Sequence, residues 1–480
     1  MNRIVPIAAA SILVLSLGAC GALRPDRALR GTTGVTAHDL CSETFVSGLI
    51  PEAVYKESLL PRPGFGLVSW SLVTRIDREH REVSASIAGA LESRARFREG
   101  LGCVLVHDGV PARAAGGPAP ATAAVTTPAP AQPPALLPPI TDGAAVVTPT
   151  DPALAAALEA AFTETPAPPH EQTKAVVVLR DGRIVAERYA PGYAVETPVL
   201  GFSMSKSVIN ALLGILVQEG RLDVKAPAPV AAWQQAGDPR RAITVEHLMR
   251  MTSGLDLDET GSGFDPSNQM FYVEPDMAAF AERASLKAAP GTRWFYSSAS
   301  VHLLARIIRE RTGGGADSVQ RFAAEKLFGP LGIHGLTMEA DATGTPIGAH
   351  YMLAPARDWA RFGALFVNDG MVGGKRLLPV GWIAFSTTPT LDTDYGAGWW
   401  PNRTQNPNGA RLSKLDMPLV PGVPADTFYA LGNLGQYLAV IPSERLVILR
   451  LGRAHTKDFG VEAFGRLVAQ TVAAYKPRAP

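Results

Sequence analysis

The sequence predicts a mixed α/β (α+β) chain: one sheet flanked by helices, with an all-helical region inserted, preceded by a small N-terminal domain. Three observations carry this. β-rich runs stand at both ends of the segment 151–480, at Ala175–Leu179 with Ile184–Val185, and at Gln436–Val440 with Leu446–Leu451. Between them lie apolar residues at helical spacing. Ahead of them, residues 111–150 are rich in Pro and Ala, with doublets at Pro133-Pro134 and Pro138-Pro139. Such a composition is extended and cannot build a core, so it marks a domain boundary.

The elements follow in order. Asp151 is placed to cap a helix over Pro152–Phe162, with Pro at the first helical position. Asp181-Gly182 joins the first two strands as a hairpin turn. Pro442-Ser443-Glu444 joins the last two, and a helix over Val461–Tyr475 closes the chain. Strands from the two ends therefore belong to one sheet. In the N-terminal domain, residues 38–110, we expect an apolar run at Phe65–Val73, a helix over Val83–Phe97 and a strand at Cys103–Val106 ending in the turn at Asp108-Gly109.

Composition narrows the function classes. The chain has 480 residues, 46% apolar and 19% charged, enough to bury a large core. A net charge of +1 gives no electrostatic case for a nucleic-acid partner or for an anionic membrane surface. The nine His show no His-Glu-x-x-His pattern, so neither a metal nor another cofactor is expected. No Gly-x-Ser-x-Gly elbow is found either.

The N-terminus predicts export. Arg3 is followed by an apolar stretch, Ile4 to Leu17, of signal-peptide length, which runs into Leu17-Gly18-Ala19-Cys20-Gly21. Small residues before a Cys at that position look like a bacterial lipobox. Residues 1–19 are then a signal peptide, Cys20 the lipidated residue and 20–37 a tether. The alternative is a plain signal peptide cut near Ala19. Resemblance to sorted lipoproteins, with Gly after Cys20, suggests the outer membrane and the periplasmic side of the envelope. Membrane contact would be through the lipid alone. With Cys20 lipidated, Cys41 and Cys103 remain, and an oxidising compartment favours a disulfide between them over two separate buried thiols.

The chemistry centres on Phe202-Ser203-Met204-Ser205-Lys206. Val208, Ile209, Leu212, Leu213 and Leu216 follow at helical spacing, so Ser203 opens a deeply packed helix. Its free N–H groups and dipole favour negative charge there. Lys206 lies one turn along on the same face. Burial lowers the pKa of an ammonium, and a neutral lysine beside a hydroxyl activates it as a nucleophile. Ser-x-x-Lys alone is weak, since a chain this long contains it about once by chance.

Together with Pro290-Gly291-Thr292-Arg293-Trp294-Phe295-Tyr296-Ser297-Ser298, the motif resembles the serine β-lactamase and penicillin-binding-protein superfamily. The resemblance is to the branch holding class C β-lactamases, D-amino-acid peptidases, esterases and 6-aminohexanoate-dimer hydrolases. Thr244–Leu255, Ala356–Gly363 and Tyr395–Trp400 resemble that branch too, so the likeness spans residues 151–475. It implies an antiparallel sheet and an acyl-enzyme on Ser203. Tyr296 would be general base or share the proton with Lys206. Ser298 stands where the family has Asn, and a hydroxyl lacks an amide's paired donor and acceptor. Ala430-Leu431-Gly432 stands where the family has a basic residue on the edge strand. Gly432 would admit substrate to the backbone, and the N–H of Asn433 with that of Ser203 would form the oxyanion hole.

These departures turn the expected substrate from a β-lactam to an ester or short amide. The alternatives are a β-lactamase or D-amino-acid peptidase acting on cell-wall-type substrates, or a non-catalytic sensor on the same fold. Four further residues are read without a chemical role. His247 is structural, Arg357 and Asp358 serve capping or an ion pair, and Trp399 and Trp400 either wall the cleft or fill core.

Overall fold

The computed structural model describes residues 25–110, 133–164, 166–259, 264–315, 317–403 and 420–475. The signal-peptide segment and Cys20 lie outside the described residues. So do residues 111–132, the first half of the Pro/Ala-rich stretch.

The N-terminal domain begins with helix α1, Pro25–Cys41. This corrects the expected tether, because Thr33, Val35, Thr36, Ala37, His38, Asp39 and Leu40 are buried. Two Gly and three Thr in α1 give poor intrinsic helicity. Tertiary packing holds it instead: a Cβ at Gly34 would lie 2.6 Å from the Tyr272 Cβ, so the backbones meet there. Strands β1 (Leu72–Asp77), β2 (Glu82–Ile87), β3 (Ala90–Arg98) and β4 (Gly102–Val106) form an antiparallel meander. The expected helix over Val83–Phe97 is thus the β2–β3 hairpin. Period two wins over period 3.6, since Val83, Ala85 and Ala95 are buried while Ser84, Arg94 and Arg96 alternate with them. The turn sits at Ala88-Gly89, both with positive φ, 48° and 76°, as a two-residue hairpin turn requires. Cys41 and Cys103 are disulfide-bonded, joining α1 to β4.

The described half of the Pro/Ala-rich stretch is no free linker. Leu136 and Leu137 N–H donate to the Pro330 carbonyl, and the Ile140 carbonyl accepts from Ile184 N–H. Arg357 donates to the carbonyls of Gly143 and Ala145, at 3.0 and 2.7 Å. Leu137 and Ile140 are buried.

The larger domain matches its predicted elements closely. Helix α2 is Pro152–Phe162, capped by the Asp151 carboxylate. Strands β5 (Thr173–Arg180), β6 (Arg183–Tyr189) and the short β7 (Val199–Leu200) precede helix α3, Ser205–Gln218. The inserted helical region contains α4 (Pro266–Tyr272) and α5 (Ser298–Arg311). Then come β8 (Thr337–Met338), β9 (Met352–Ala354) and helix α6, Ala356–Val367. Strands β10 (Trp400–Pro401), β11 (Phe428–Gly432), β12 (Gln436–Ile441) and β13 (Leu446–Gly452) lead to helix α7, Val461–Tyr475. The main sheet has six strands in the order β10-β11-β12-β13-β5-β6, all pairs antiparallel. The last strands of the chain thus pair with the first of this domain. The middle strands are buried along their whole length, as covering by helices on both faces demands. Among the described residues no helix is long and apolar enough to cross a membrane.

Candidate active site

Ser203 lies in a tight turn, Phe202–Met204, at the mouth of α3. Phe202, immediately before it, has φ 47°, a costly conformation for a bulky residue that tertiary packing holds. Its neighbours Phe202 and Met204 are fully buried while Ser203 is half-exposed, so the turn offers one hydroxyl to the cleft. Behind it, α3 is buried from Ser205 to Leu216.

Lys206 lies within hydrogen-bond distance of three oxygens. Its Nζ is 2.9 Å from Ser203 Oγ, 3.1 Å from Ser298 Oγ and 3.0 Å from the Ala349 carbonyl. A neutral amine has two N–H donors and one lone pair. The Ala349 carbonyl can only accept, Ser298 Oγ can take the second N–H, and the Ser203 hydroxyl can donate to the lone pair. The geometry accommodates both forms, since an ammonium can donate to all three oxygens and a neutral amine to two while accepting from the Ser203 hydroxyl. Burial lowers its pKa to about 8, against the pull of Glu259, which favours the charged form.

Tyr296 turns its ring face to Lys206, with Nζ 4.8 Å from the ring centroid. Trp400 stacks on Tyr296 at 6.2 Å, and Tyr395 meets both rings edge-on. Both adjacent tryptophans are buried in the core: Trp400 packs with Tyr296 and Tyr395 beside Lys206, while Trp399 packs against Phe362, Phe366 and Phe428. Ser297 caps α5 through its hydroxyl, which leaves the next hydroxyl, Ser298, to Lys206.

The end of β11 abuts the nucleophile turn. A Cβ at Gly432 would lie 2.3 Å from the Gly201 carbonyl oxygen, so only glycine allows this approach. Asn433 follows in the tight turn to β12, half-exposed like Ser203. Sequence motifs far apart, at 203–206, 296–298 and 432–433, are thus brought to one place.

Two contributors were not singled out in the sequence. Glu259 accepts the Ser298 N–H, and its own N–H donates to the Tyr296 carbonyl. It follows the irregular segment at Asp256–Asp258, which has no motif to announce a role. The Ala349 carbonyl is a backbone group and leaves no trace in residue identity. His302 donates from Nδ1 to the Ser298 carbonyl at 3.0 Å. Burial, chiefly, pushes its pKa down to about 4, so it adds no charge beside Lys206. The remaining residues serve structure. His247 closes a capping box with Thr244. Arg357 pairs with buried Glu187, and Asp358 accepts the N–H groups of His334 and Gly335. A cavity of 370 Å³ lies elsewhere, between the N-terminal domain and α4, lined by Arg30, Arg94, His107 and Asp108 among others.

A family model for Beta-lactamase matches residues 158–470, well over half of the chain. The chain belongs to the beta-lactamase family. It is 27% identical over 224 residues to the 6-aminohexanoate-dimer hydrolase of Paenarthrobacter ureafaciens, a match covering 44% of this chain and 56% of that relative's length. Among solved structures it is similar to a family VIII carboxylesterase, with TM-score 0.53, 16% identity, and coverage of 69% of this chain and 99% of that one. A penicillin-binding-protein homologue from Caulobacter crescentus gives TM-score 0.50 and 19% identity over 69% of this chain and 99% of that one. These likenesses support the β-lactamase-like fold of antiparallel sheet and flanking helices. The small domain from Pro25 to Val110 lies outside the matched residues.

Proposed function

We propose that this chain is a serine hydrolase that cleaves an ester or short amide through an acyl-enzyme on Ser203. The observation that carries the reading is the 2.9 Å contact between Ser203 Oγ and a buried lysine whose pKa is lowered to about 8. Lys206 takes the Ser203 proton as Oγ attacks the carbonyl carbon. The N–H groups of Ser203 and Asn433 hold the oxyanion. The proton then passes, from Lys206 with Tyr296, to the leaving alcohol or amine. Water releases the acyl group by the reverse route.

Tyr296, Tyr395 and Trp400 pack as one buried aromatic group beside Lys206, which keeps the lysine out of water. The 6-aminohexanoate-dimer hydrolase relative and the carboxylesterase neighbour support cleavage of an ester or short amide. Ser298 and Ala430, in place of an amide and a cation, favour it over β-lactams and D-amino-acid peptides. The same two departures motivate a second reading, a sensor that binds without turnover. Assay of p-nitrophenyl esters, nitrocefin and D-amino-acid amides separates the readings. Ester turnover lost in Ser203→Ala supports the hydrolase. Tight binding unaffected by that substitution, with no turnover, supports the sensor. We also propose lipidation at Cys20 and residence on the periplasmic side of the outer membrane. Labelling with a radioactive fatty acid, absent in Cys20→Ser, tests this.

A further inference from the structure

We infer that Tyr351, held by His38 and Asp39 of the N-terminal helix, is a positioning residue for the nucleophile and its lysine. This rests on the Ser203–Lys206 reading above. Residues 349–352 touch the site at three points, Ala349, His350 and Met352. The Ala349 carbonyl accepts from Lys206 at 3.0 Å. The His350 ring meets the Phe202 ring edge-on at 4.8 Å, and Phe202 is the residue with positive φ next to Ser203. The Met352 carbonyl accepts the Gly201 N–H at 2.8 Å. This short segment therefore fixes both the lysine and the turn that offers the serine.

Tyr351 is the one member of the segment whose side chain reaches the small domain for its hydrogen bond. Its hydroxyl donates to Asp39 Oδ1 at 2.5 Å, and its ring stacks on His38 at 3.9 Å and 13°. Asp39 is fully buried, and its second oxygen takes Arg62 at 2.6 Å. His38 is itself tied to buried Glu339 at 2.9 Å. Glu339 stands beside the segment, its N–H donating to the Tyr351 carbonyl, and it also accepts from Ser42 and from the Cys103 N–H. Removing one member of such a buried polar network leaves a costly unpaired group, so its geometry is sharply defined. The small domain, outside the family match, thereby sets the position of atoms 3 Å from Lys206.

The test is the kinetics of Tyr351→Phe and Asp39→Asn in the full chain, with a p-nitrophenyl ester. Active sites are counted by fluorophosphonate titration. The groups that face Lys206 are Glu259, His302, His350 and Tyr296, and both substitutions leave all four in place. We expect kcat per site to fall about tenfold with KM within about twofold, since small misplacement of reacting groups acts on kcat. The acidic limb of the pH profile should move upward as water reaches a less tightly held Lys206. A Tyr351→Phe protein that folds, with kcat and the acidic limb both unchanged, overturns the inference alone. Should Asp39→Asn not fold, Tyr351→Phe, which deletes a single hydroxyl, decides. Turnover that survives Ser203→Ala overturns the nucleophile reading and this inference with it.

Discussion

Lys206 is buried and lies beside three oxygens, and burial pulls its pKa down to about 8. Its folded pKa of about 8 lies below the ordinary 10.5. Activity that needs the neutral amine should therefore rise with pH to a plateau above about 8, visible as the acidic limb of kcat/KM for an uncharged ester. The same shift bears on stability. Between pH 8 and 10.5 the unfolded chain holds a proton that the folded chain has released, so stability rises with pH across that window and the penalty is full below it. Lys206→Met should accordingly abolish turnover yet raise stability at pH 7, by about 1 kcal/mol, measured by urea titration. Ser298→Ala removes one of the three neighbours and should lower kcat about tenfold, with the fold kept. At this scale the sequence showed much of the site. Ser203, Lys206, Tyr296 and Ser298 stand in motifs, and the structure brings them together. Glu259 and the Ala349 carbonyl carried no such signal, because one sits in an irregular loop and the other is backbone.

Among the elements, periodicity told most where it was long. The helices Pro152–Phe162 and Val461–Tyr475 and the Asp181-Gly182 hairpin stand at the expected residues. The stretch Val83–Phe97 misled because its alternation is interrupted by the Ala88-Gly89 turn, so neither strand showed a full run. Helix α1 was hidden for another reason: its Gly and Thr residues disfavour a helix, and tertiary burial overrides that preference. The meeting of β11 with the nucleophile turn was legible only as a glycine in a motif. Its physical cause is the 2.3 Å approach that a Cβ at Gly432 would make to the Gly201 carbonyl. Gly432→Ala should force the two backbones apart. We expect a loss of about 1–3 kcal/mol in stability, as for other overpacked sites, and a drop in kcat larger than that of Ser298→Ala. Urea titration and ester kinetics on the same preparation check both.

Across the whole molecule, the two domains share buried charge. Arg453 Nη1 meets Glu43 at 2.8 Å with both side chains almost fully buried, and the Asp39 and Glu339 networks lie alongside. Nothing in the sequence joined Glu43 to Arg453, which stand 410 positions apart. Breaking one such pair leaves an uncompensated charge, so Glu43→Gln should cost about 3–5 kcal/mol. Both domains should unfold in one transition by calorimetry. The Cys41–Cys103 bond spans 62 positions. Closing a loop of that length restricts the unfolded chain by about 4 kcal/mol, so reduction should lower the unfolding midpoint clearly.

Mass spectrometry of the chain after reaction with a fluorophosphonate shows whether Ser203 is the nucleophile. We expect a single adduct on the peptide carrying Ser203, formed faster as pH rises through about 8 and absent from Ser203→Ala. A folded protein that takes no label, or takes it equally in Ser203→Ala, would show that Ser203 is not the nucleophile.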